Sequence, residues 1–516
     1  MARTISYFLL LFISTNIFSQ TAVDWYNANG GSEYETVYGT TKTSDGGYIA
    51  LGGTSSSDYD IDTTNRGGSD AFIIKYDSLG NKEWMLTFGG SSNELFSGVC
   101  ETLDGEYVIL GQTNSVTGNL ENLNYHGGND LWVLKIDANG NIIWNYLYGG
   151  SLDEFSKEII PANDGGFIIL ANTKSDDGDV SNLIGYIDAW IIKIDNTGNI
   201  VWEKTYGGTN WDILRKIKST SDGYVVTGET TSNTINGFNG DYDVYLLKVN
   251  NYGNIIWEKA FGGSNTDQAF SLDLSADYSY IIGGRTYSND SIMSSTVYGN
   301  GDAFVMKIDS SGSFIWETTI GGSEEDAFWG ICATSNNEYI AVGQTESNDI
   351  DITSDNCYNH GYIDGFYALI DNNGSKLLSG TLGGDGNDIL KSTYYSTDGK
   401  YITIGETKSS YGDIHNSYGD YGTSDIVIAK FSNQNYTEIT KTKEKHINIY
   451  PNPASNYINI DVENLNRIQI IDINGKIVLT ETTKNIDVSE LNNGIYVIKI
   501  ITDNNIYSNQ LIINNF

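Results

Sequence analysis

Two sets of carboxylates recur down this 516-residue chain at constant phase, and rings of acids are groups that can hold cations or sugars. The first set is Glu35, Glu94, Glu154, Asp212, Asp267, Asp326 and Asp388, each four residues beyond the second glycine of a Gly-Gly pair. The second is Asp70, Asp130, Asp188, Asp243, Asp302, Asp364 and Asp425, each opening a short apolar run. An acid present in every repeat is also what every repeat needs in order to fold. Such an acid would cap turn N–H groups or pair with the lysine of the same run (Lys75, Lys135, Lys193, Lys248, Lys307 and Lys430), and repetition favours this structural role. Asp58, Asp60 and Asp62 alternate as calcium ligands can, although Thr63 stands where an EF-hand has glycine and no glutamate closes the loop. Calcium is the ion this spacing would take, and no other cofactor is indicated. Residues that break the repeat are better leads for ligand binding, because the fold does not demand them in each copy: Trp211, Trp329, Arg66, Arg285, His126, His360 and His415. Trp211, beside Asp212, could serve as a sugar-stacking platform or pack on a neighbouring loop.

The elements that position these residues follow from the repeat. Gly-Gly pairs begin at Gly30, Gly89, Gly149, Gly207, Gly262, Gly321 and Gly383, at steps of 55 to 62 residues. Five residues before each stands Trp25, Trp84, Trp144, Trp202, Trp257 or Trp316, with Leu378 in the remaining copy. Each unit reads as four short strands. Strand a follows the Gly-Gly pair, strand b follows a tight turn such as Asp45-Gly46-Gly47, strand c follows a long polar loop, and strand d follows an Asp-x-x-Gly turn. Strands b and c are apolar on both faces, so both faces must be covered by neighbouring sheets.

Seven four-stranded units predict an all-β, seven-bladed β-propeller over residues 21–432. The last unit lacks a Trp-bearing strand d, and the chain begins with an orphan strand at Val23-Asp24-Trp25-Tyr26. Closure of the ring by pairing this N-terminal strand with the last unit accounts for both defects and removes open edges. His126 and His360 then fall in the second and sixth units, too far apart around the ring to share a zinc ion.

The composition agrees with an exported all-β chain. There are 58 Gly and 36 Tyr, and 66 acids against 29 Lys plus Arg give a net charge of −37, which excludes nucleic acid as a partner. Cys100, Cys332 and Cys357 are too few for a disulfide framework. Residues 1–20 read as a secretory signal peptide, and no later segment is long and apolar enough to span a membrane.

The units resemble the seven-bladed propeller repeats of bacterial secreted proteins. Asp-x-x-Gly-x-x-x-Trp is similar to the tryptophan-docking motif of quinoprotein dehydrogenase propellers, a resemblance that implies fold and not activity. After a polar linker, residues 433–446, a different module begins. Residues 447–516 alternate apolar and polar residues in short strands, as a small β-sandwich does. Its Pro451, Asn452 and Pro453, then Gly475, then Gly494 lie in motifs that resemble the type A sorting domain of type IX secretion. That resemblance implies a Bacteroidota-type source, a translocon and a sorting protease as partners, and a product secreted across the outer membrane to the cell surface or the extracellular space.

No Ser-His-Asp elbow, His/Cys metal cluster or phosphate-cradling glycine motif occurs at a persuasive spacing. Ligands should meet the propeller face that carries the long b–c loops. The sequence thus reads as a non-enzymatic binding or adhesion module for an extracellular glycan or protein. The alternative is a polysaccharide-acting hydrolase or lyase on the same scaffold.

Overall fold

A computed structural model describes residues 22–61, 65–293, 295–352, 362–414, 423–432, 449–460, 462, 465–471, 476–502 and 506–514. The expected signal peptide, residues 1–20, and linker, residues 433–446, lie outside the described residues. The chain divides into two compact units, Met1–Gln434 and Asn435–Phe516.

The first unit is built as the repeat predicts. In its first sheet the strands are Glu35–Lys42, Tyr48–Thr54, Asp70–Tyr76 and Lys82–Phe88, hydrogen-bonded in that order. The turn between the first two requires glycine, since Gly46 has φ +86°. Strands Tyr48–Thr54 and Asp70–Tyr76 are buried at every residue, because neighbouring sheets cover both faces. Among the described residues this pattern recurs to give seven four-stranded antiparallel sheets. Apolar clusters fill the space between consecutive sheets, as where Ile49 and Leu51 of the first meet Ile109, Trp132 and Leu134 of the second.

The seventh sheet runs in the order Asp388–Tyr395, Tyr401–Thr407, Asp425–Ser432, Ala22–Asn29. Its outer strand is therefore the N-terminal one, paired antiparallel so that Tyr26 lies opposite Ala429 and Asn29 opposite Ile426. The seventh sheet in turn packs on the first, with Ile402, Ile404 and Ile428 in one cluster with Val37, Ala50 and Phe72. One backbone bond marks every junction. The strand-a acid donates its N–H to the residue before the preceding sheet's strand-c Asp: Glu94 to Ser69, Glu154 to Asn129, Asp212 to Ile187, Asp267 to Tyr242, Asp326 to Gly301 and Asp388 to Ile363, at 2.6–2.8 Å. Glu35 donates to Ser424 in the same way, at 2.9 Å, so the junction between the last sheet and the first is built like the others.

The repeated tryptophans dock across these junctions. A Cβ on Gly80 would lie 2.1 Å from the Trp25 ring, one on Gly253 2.9 Å from Trp202, and one on Gly312 3.1 Å from Trp257. Each ring thus lies against the Asp-x-x-Gly turn of the next sheet, or for Trp202 the equivalent Asn250-x-x-Gly253 turn, which only glycine lets it approach. Trp84 differs: Leu86 lies against Gly140, and the Trp84 ring meets Tyr107 edge-on at 6.1 Å. The six rings are half-buried, because their outer edges face solvent. Truncating Trp202 to Ala is therefore expected to cost about 2–4 kcal/mol, somewhat below the range for a fully buried tryptophan, read as a lower urea midpoint with unchanged slope.

The second unit contains a three-stranded sheet (Ile449–Tyr450, Tyr457–Ile460, Asn485–Asp487) and a four-stranded one (Ile477–Glu481, Leu465–Ile471, Gly494–Thr502, Ile506–Ile513). Ile458, Ile468, Ile486, Ile498 and Leu511 form the shared core of this small sandwich.

Candidate ligand site in the central channel

The two acid sets meet in pairs at the sheet junctions. A Cβ on Gly89 would lie 2.6 Å from Asp70 Oδ1 and 2.7 Å from Glu94 Oε2, so the first glycine of each Gly-Gly pair leaves room for two carboxylates. Both acids are spent on the fold. Glu94 accepts from the Gly90 N–H at 2.7 Å and from Thr113 Oγ1 at 2.9 Å. Asp267 accepts from Gly263, Thr286 and Ser288. The Thr-x-Ser that opens each long loop therefore anchors that loop on the acid. Strand-c acids cap the approach to their own strand: Asp130 accepts from the His126 N–H at 2.8 Å and Asp243 from Asn239 at 2.6 Å. The strand-c lysines pair elsewhere, with acids of the a–b turns at the other end of the sheet, as Lys75 does with Asp45 at 2.8 Å and Lys307 with Asp277 at 2.8 Å.

Burial pushes the junction carboxyls up, and the neighbouring acid adds to the shift at several junctions. Asp188, Asp302 and Asp388 rise to about 6, and Asp243 and Asp326 to about 7. Groups whose native pKa is raised stabilise the fold fully below their unfolded pKa near 3.8, and that contribution disappears as pH climbs through 6–7. The a–b turn acids have the opposite sign. Lysine partners outweigh their partial burial and hold Asp45, Asp277 and Asp398 at about 2, so their contribution is lost below pH 3.8. The melting temperature should accordingly peak near pH 4–5 and fall by roughly 5–10 °C toward pH 8 in a thermal scan. A melting temperature that rises from pH 5 to pH 8 would show the junction acids to be held as charged groups instead.

Several residues marked by the sequence serve the loops. Asp58 accepts from the Ser32 N–H at 2.8 Å, and Asp60 binds Lys82 at 2.5 Å and Asn29 at 3.1 Å. Asp62 lies outside the described residues. Arg66 and His126 each contact the strand-c Asp four residues on, at 2.9 Å and 3.1 Å. Trp211 is 45% exposed at a loop, its N–H bonded to Thr231 Oγ1 at 3.0 Å. His360 and His415 lie outside the described residues.

Trp329 and Arg285 belong to a different arrangement. Every strand a carries a β-bulge at the same step, with the extra residue being Tyr38, Ser97, Lys157, Arg215, Phe270, Trp329 or Lys391. A bulge re-aims side chains and breaks the inward-outward alternation of a strand. These positions are held from the preceding sheet. Glu406 accepts the Val37 N–H at 2.8 Å, Gln112 that of Ser156 at 3.1 Å and Asn172 that of Leu214 at 2.9 Å, each immediately before a bulge.

The strands a of all seven sheets line one cavity of about 230 Å³, which includes Thr40, Glu158, Lys216, Lys218, Trp329, Lys391 and Thr393. Around it the bulge residues of the fourth to seventh sheets form a stack. The Arg215 guanidinium lies 5.2 Å from the Phe270 ring, Phe270 stacks on Trp329 at 4.3 Å, and the Lys391 ammonium lies 5.2 Å from Trp329. Arg285 flanks the stack, bonded to Gln268 at 2.9 Å and paired with Glu325. The charges here are unevenly neutralised. Arg215 is clasped by Glu229 through two bonds of 2.8 and 2.5 Å. Lys216, Lys218 and Lys391 meet Glu158, Asp273 and Glu406 at only 3.7, 3.4 and 3.8 Å. Lys157 has neither an ion pair nor a hydrogen bond from its ammonium among the described residues. Burial, and then the adjacent Arg215, push its pKa down to about 8. Five cationic side chains thus face four carboxylates in a protein of net charge −37.

Sequence reasoning reached Trp329 and Arg285 because they break the repeat, but it missed Lys157, Arg215, Phe270 and Lys391. The available signal was the position three residues after the strand-a acid, where residue type changes from unit to unit while its neighbours keep their pattern.

In the second unit, Pro451, Asn452 and Pro453 are exposed. Asn452 Oδ1 accepts the Ile512 N–H at 2.9 Å, tying this segment to the final strand. Gly494 opens the strand Gly494–Thr502, and Gly475 lies outside the described residues. Residues 448–514 match the family described as the secretion system C-terminal sorting domain. That domain assigns the chain to type IX secretion, which delivers it to the cell surface or the extracellular space. No helix among the described residues is long and apolar enough to cross a membrane. Over 164 residues the chain is 26% identical to the regulatory protein FlaEY of Caulobacter vibrioides, a stretch that covers 29% of this chain and 17% of that protein. The WD40 domain of Neurospora crassa Pan2 matches 80% of the chain and 96% of its own length at 10% identity and TM-score 0.41. A Bacteroides vulgatus member of the DUF4221 family matches 80% and 98% at 10% identity and TM-score 0.35.

Proposed function

We propose that this exported propeller is a binding module and that its ligand, a glycan or a protein segment, is held at the central channel. The observation that supports the reading is the bulge ring. Strand a of every sheet lines one cavity, the bulge residues Trp329 and Lys391 stand in its wall, and with Arg215 and Phe270 of the two preceding sheets they form the Arg215–Phe270–Trp329–Lys391 stack. Fold requirements make residues alike from sheet to sheet, so side chains that differ at one structurally singled-out position are where a ligand would be read. The loop residues Trp211, Arg66 and His126 serve their own loops and are secondary. The test is binding of the full chain to a panel of surface polysaccharides and oligosaccharides, with calcium and with EDTA. Trp329→Ala should abolish the hits and Trp211→Ala should leave them. Binding that depends on Trp211 and not on Trp329 would move the site to the loops. Release of reducing ends in the same incubations would favour the polysaccharide-acting enzyme.

A further inference from the structure

We infer that a second cavity, at the end of the propeller opposite the long loops, takes a single neutral sugar ring against Tyr278. The inference is independent of the channel reading above. The cavity has a volume of about 320 Å³ and lies where the a–b turns of the fourth and fifth sheets meet, lined by Thr220, Ser221, Asp222, Tyr278, Tyr280 and Ser310. That volume is at the small end of the range for ligand pockets, which suits one ring.

Two departures from the repeat coincide there. The fourth sheet's a–b turn is one residue shorter than the other six: four steps separate Thr220 from Tyr224, where five separate Ser275 from Tyr280. In addition, Ser310 stands where the Asp-x-x-Gly turn of the sixth sheet has Asn372. Between the fifth and sixth sheets that asparagine helps to close the junction, with the Tyr339 hydroxyl 2.9 Å from Ser275 Oγ, 3.0 Å from Lys307 Nζ and 2.7 Å from Asn372 Oδ1. Between the fourth and fifth sheets, Lys248 turns instead to Thr220 and to Asp222, the latter at 2.6 Å. Tyr280, the counterpart of Tyr339, is only 2% exposed, and its hydroxyl has no hydrogen-bond partner among the described residues. Burial, and then Asp222 and Asp309, push that hydroxyl up to about 12, so it stays protonated and able to donate. A buried hydroxyl left so in a cavity wall is a place for a ligand hydroxyl or for a water that the ligand displaces.

Tyr278 gives the cavity an aromatic wall at a conformational cost. Its φ is +64°, and the corresponding residues of five other sheets are Gly46, Gly105, Gly165, Asn337 and Gly399. The left-handed region disfavours a large side chain, and at 77% exposure the burial of Tyr278 does little to offset that cost. Strain of this kind is found where a side chain serves something other than the fold. The rest of the wall selects the ligand class. Lys248 and Asp222 neutralise one another, so neither an anion nor a cation finds a spare countercharge. What remains is the hydroxyls of Ser221, Tyr280 and Ser310, each able to donate and to accept, beside a phenol ring. A neutral pyranose, with a hydroxyl rim and a C–H face that packs on an aromatic ring, matches both.

A one-ring site of this size is expected to bind in about the millimolar range, weaker than the hits a polysaccharide panel scores. Saturation-transfer difference NMR on the full chain would therefore use millimolar methyl glycosides of glucose, galactose, mannose and N-acetylglucosamine, with methyl glucuronide and choline as charged probes. Transfer is expected to at least one neutral glycoside and to be lost in Tyr278→Gly, a variant whose melting temperature should stay level or rise because glycine suits the backbone there. Ser310→Asn, which restores the residue that closes the next junction, should also abolish transfer, whereas Trp329→Ala should leave it intact. In an oligosaccharide that ends in the preferred sugar, transfer concentrated on the terminal ring would identify a glycan end as the ligand, and transfer to the methyl glycoside alone a free sugar. Absence of transfer to every neutral glycoside, transfer that survives both Tyr278→Gly and Ser310→Asn, or transfer to methyl glucuronide or choline as strong as to any neutral glycoside would overturn the inference. Transfer that survives both variants and is lost in Trp329→Ala would place the sugar in the channel and uphold that reading alone.

Discussion

Deletion of residues 22–29 is expected to leave a chain that no longer behaves as a stable monomer. These residues form the outer strand of the seventh sheet, with Val23 and Tyr26 packed into the same cluster as Leu369, Val427 and Phe431. They also place Trp25 on the turn at Gly80 of the first sheet. Their loss exposes the backbone edge of Asp425–Ser432, five of whose eight residues are apolar, and an unprotected edge of that kind pairs with other chains. Loss of a whole strand and an inter-sheet tryptophan together is expected to cost more than about 5 kcal/mol, enough to consume the margin of a typical domain. Size-exclusion chromatography should show oligomers and aggregate in place of monomer, with a thermal transition lowered or absent. A synthetic peptide covering residues 22–29, added during refolding, should recover monomer by completing the sheet.

Asp267→Ala is expected to be the most damaging single substitution of an acid in the propeller. The side chain is fully buried and accepts from the Gly263 N–H at 2.7 Å, the Ser288 hydroxyl at 2.9 Å and the Thr286 hydroxyl. Alanine leaves these donors without their acceptor and frees the start of the long loop, at a cost of about 3–5 kcal/mol. The cost should depend on pH. Asp243, across the junction, has its pKa raised to about 7 by burial and by the Asp267 charge, so removing Asp267 relieves a repulsion that exists only when both are ionised. Urea unfolding should therefore show a larger loss of stability at pH 5 than at pH 8. A loss that is larger at pH 8 would mean that the pair is held together as two charges.

The repeat made the architecture legible because each of its marks has one physical job. The Gly-Gly pair makes room for two acids, the Asp-x-x-Gly turn makes room for a tryptophan, and the missing last strand is supplied by the orphan first one. The role of the acids was legible for the same reason, since a group needed at every junction appears in every unit. The channel was not. Arg215, Phe270 and Lys391 sit in strands whose alternation assigns them to a sheet face, and only the bulge, fixed in the fourth sheet by a hydrogen bond from the preceding one, re-aims them into one stack with Trp329. Conversely, Arg66 and His126 break the repeat as binding residues would, yet each contacts an acid four residues away, a local bond that sequence alone does not reveal.

A channel lined by seven inner strands exists only if the two ends of the propeller meet, and Asp24 and Lys400 report on that meeting directly. Their carboxylate and ammonium lie 2.5 Å apart although 376 residues separate them. Zero-length carbodiimide coupling of the monomeric protein, followed by peptide mass spectrometry, should yield an amide between Asp24 and Lys400 that disappears in Lys400→Arg. Asp24 joined to some other lysine of the same chain, with Lys400 left unmodified, would contradict the closed ring and the channel with it.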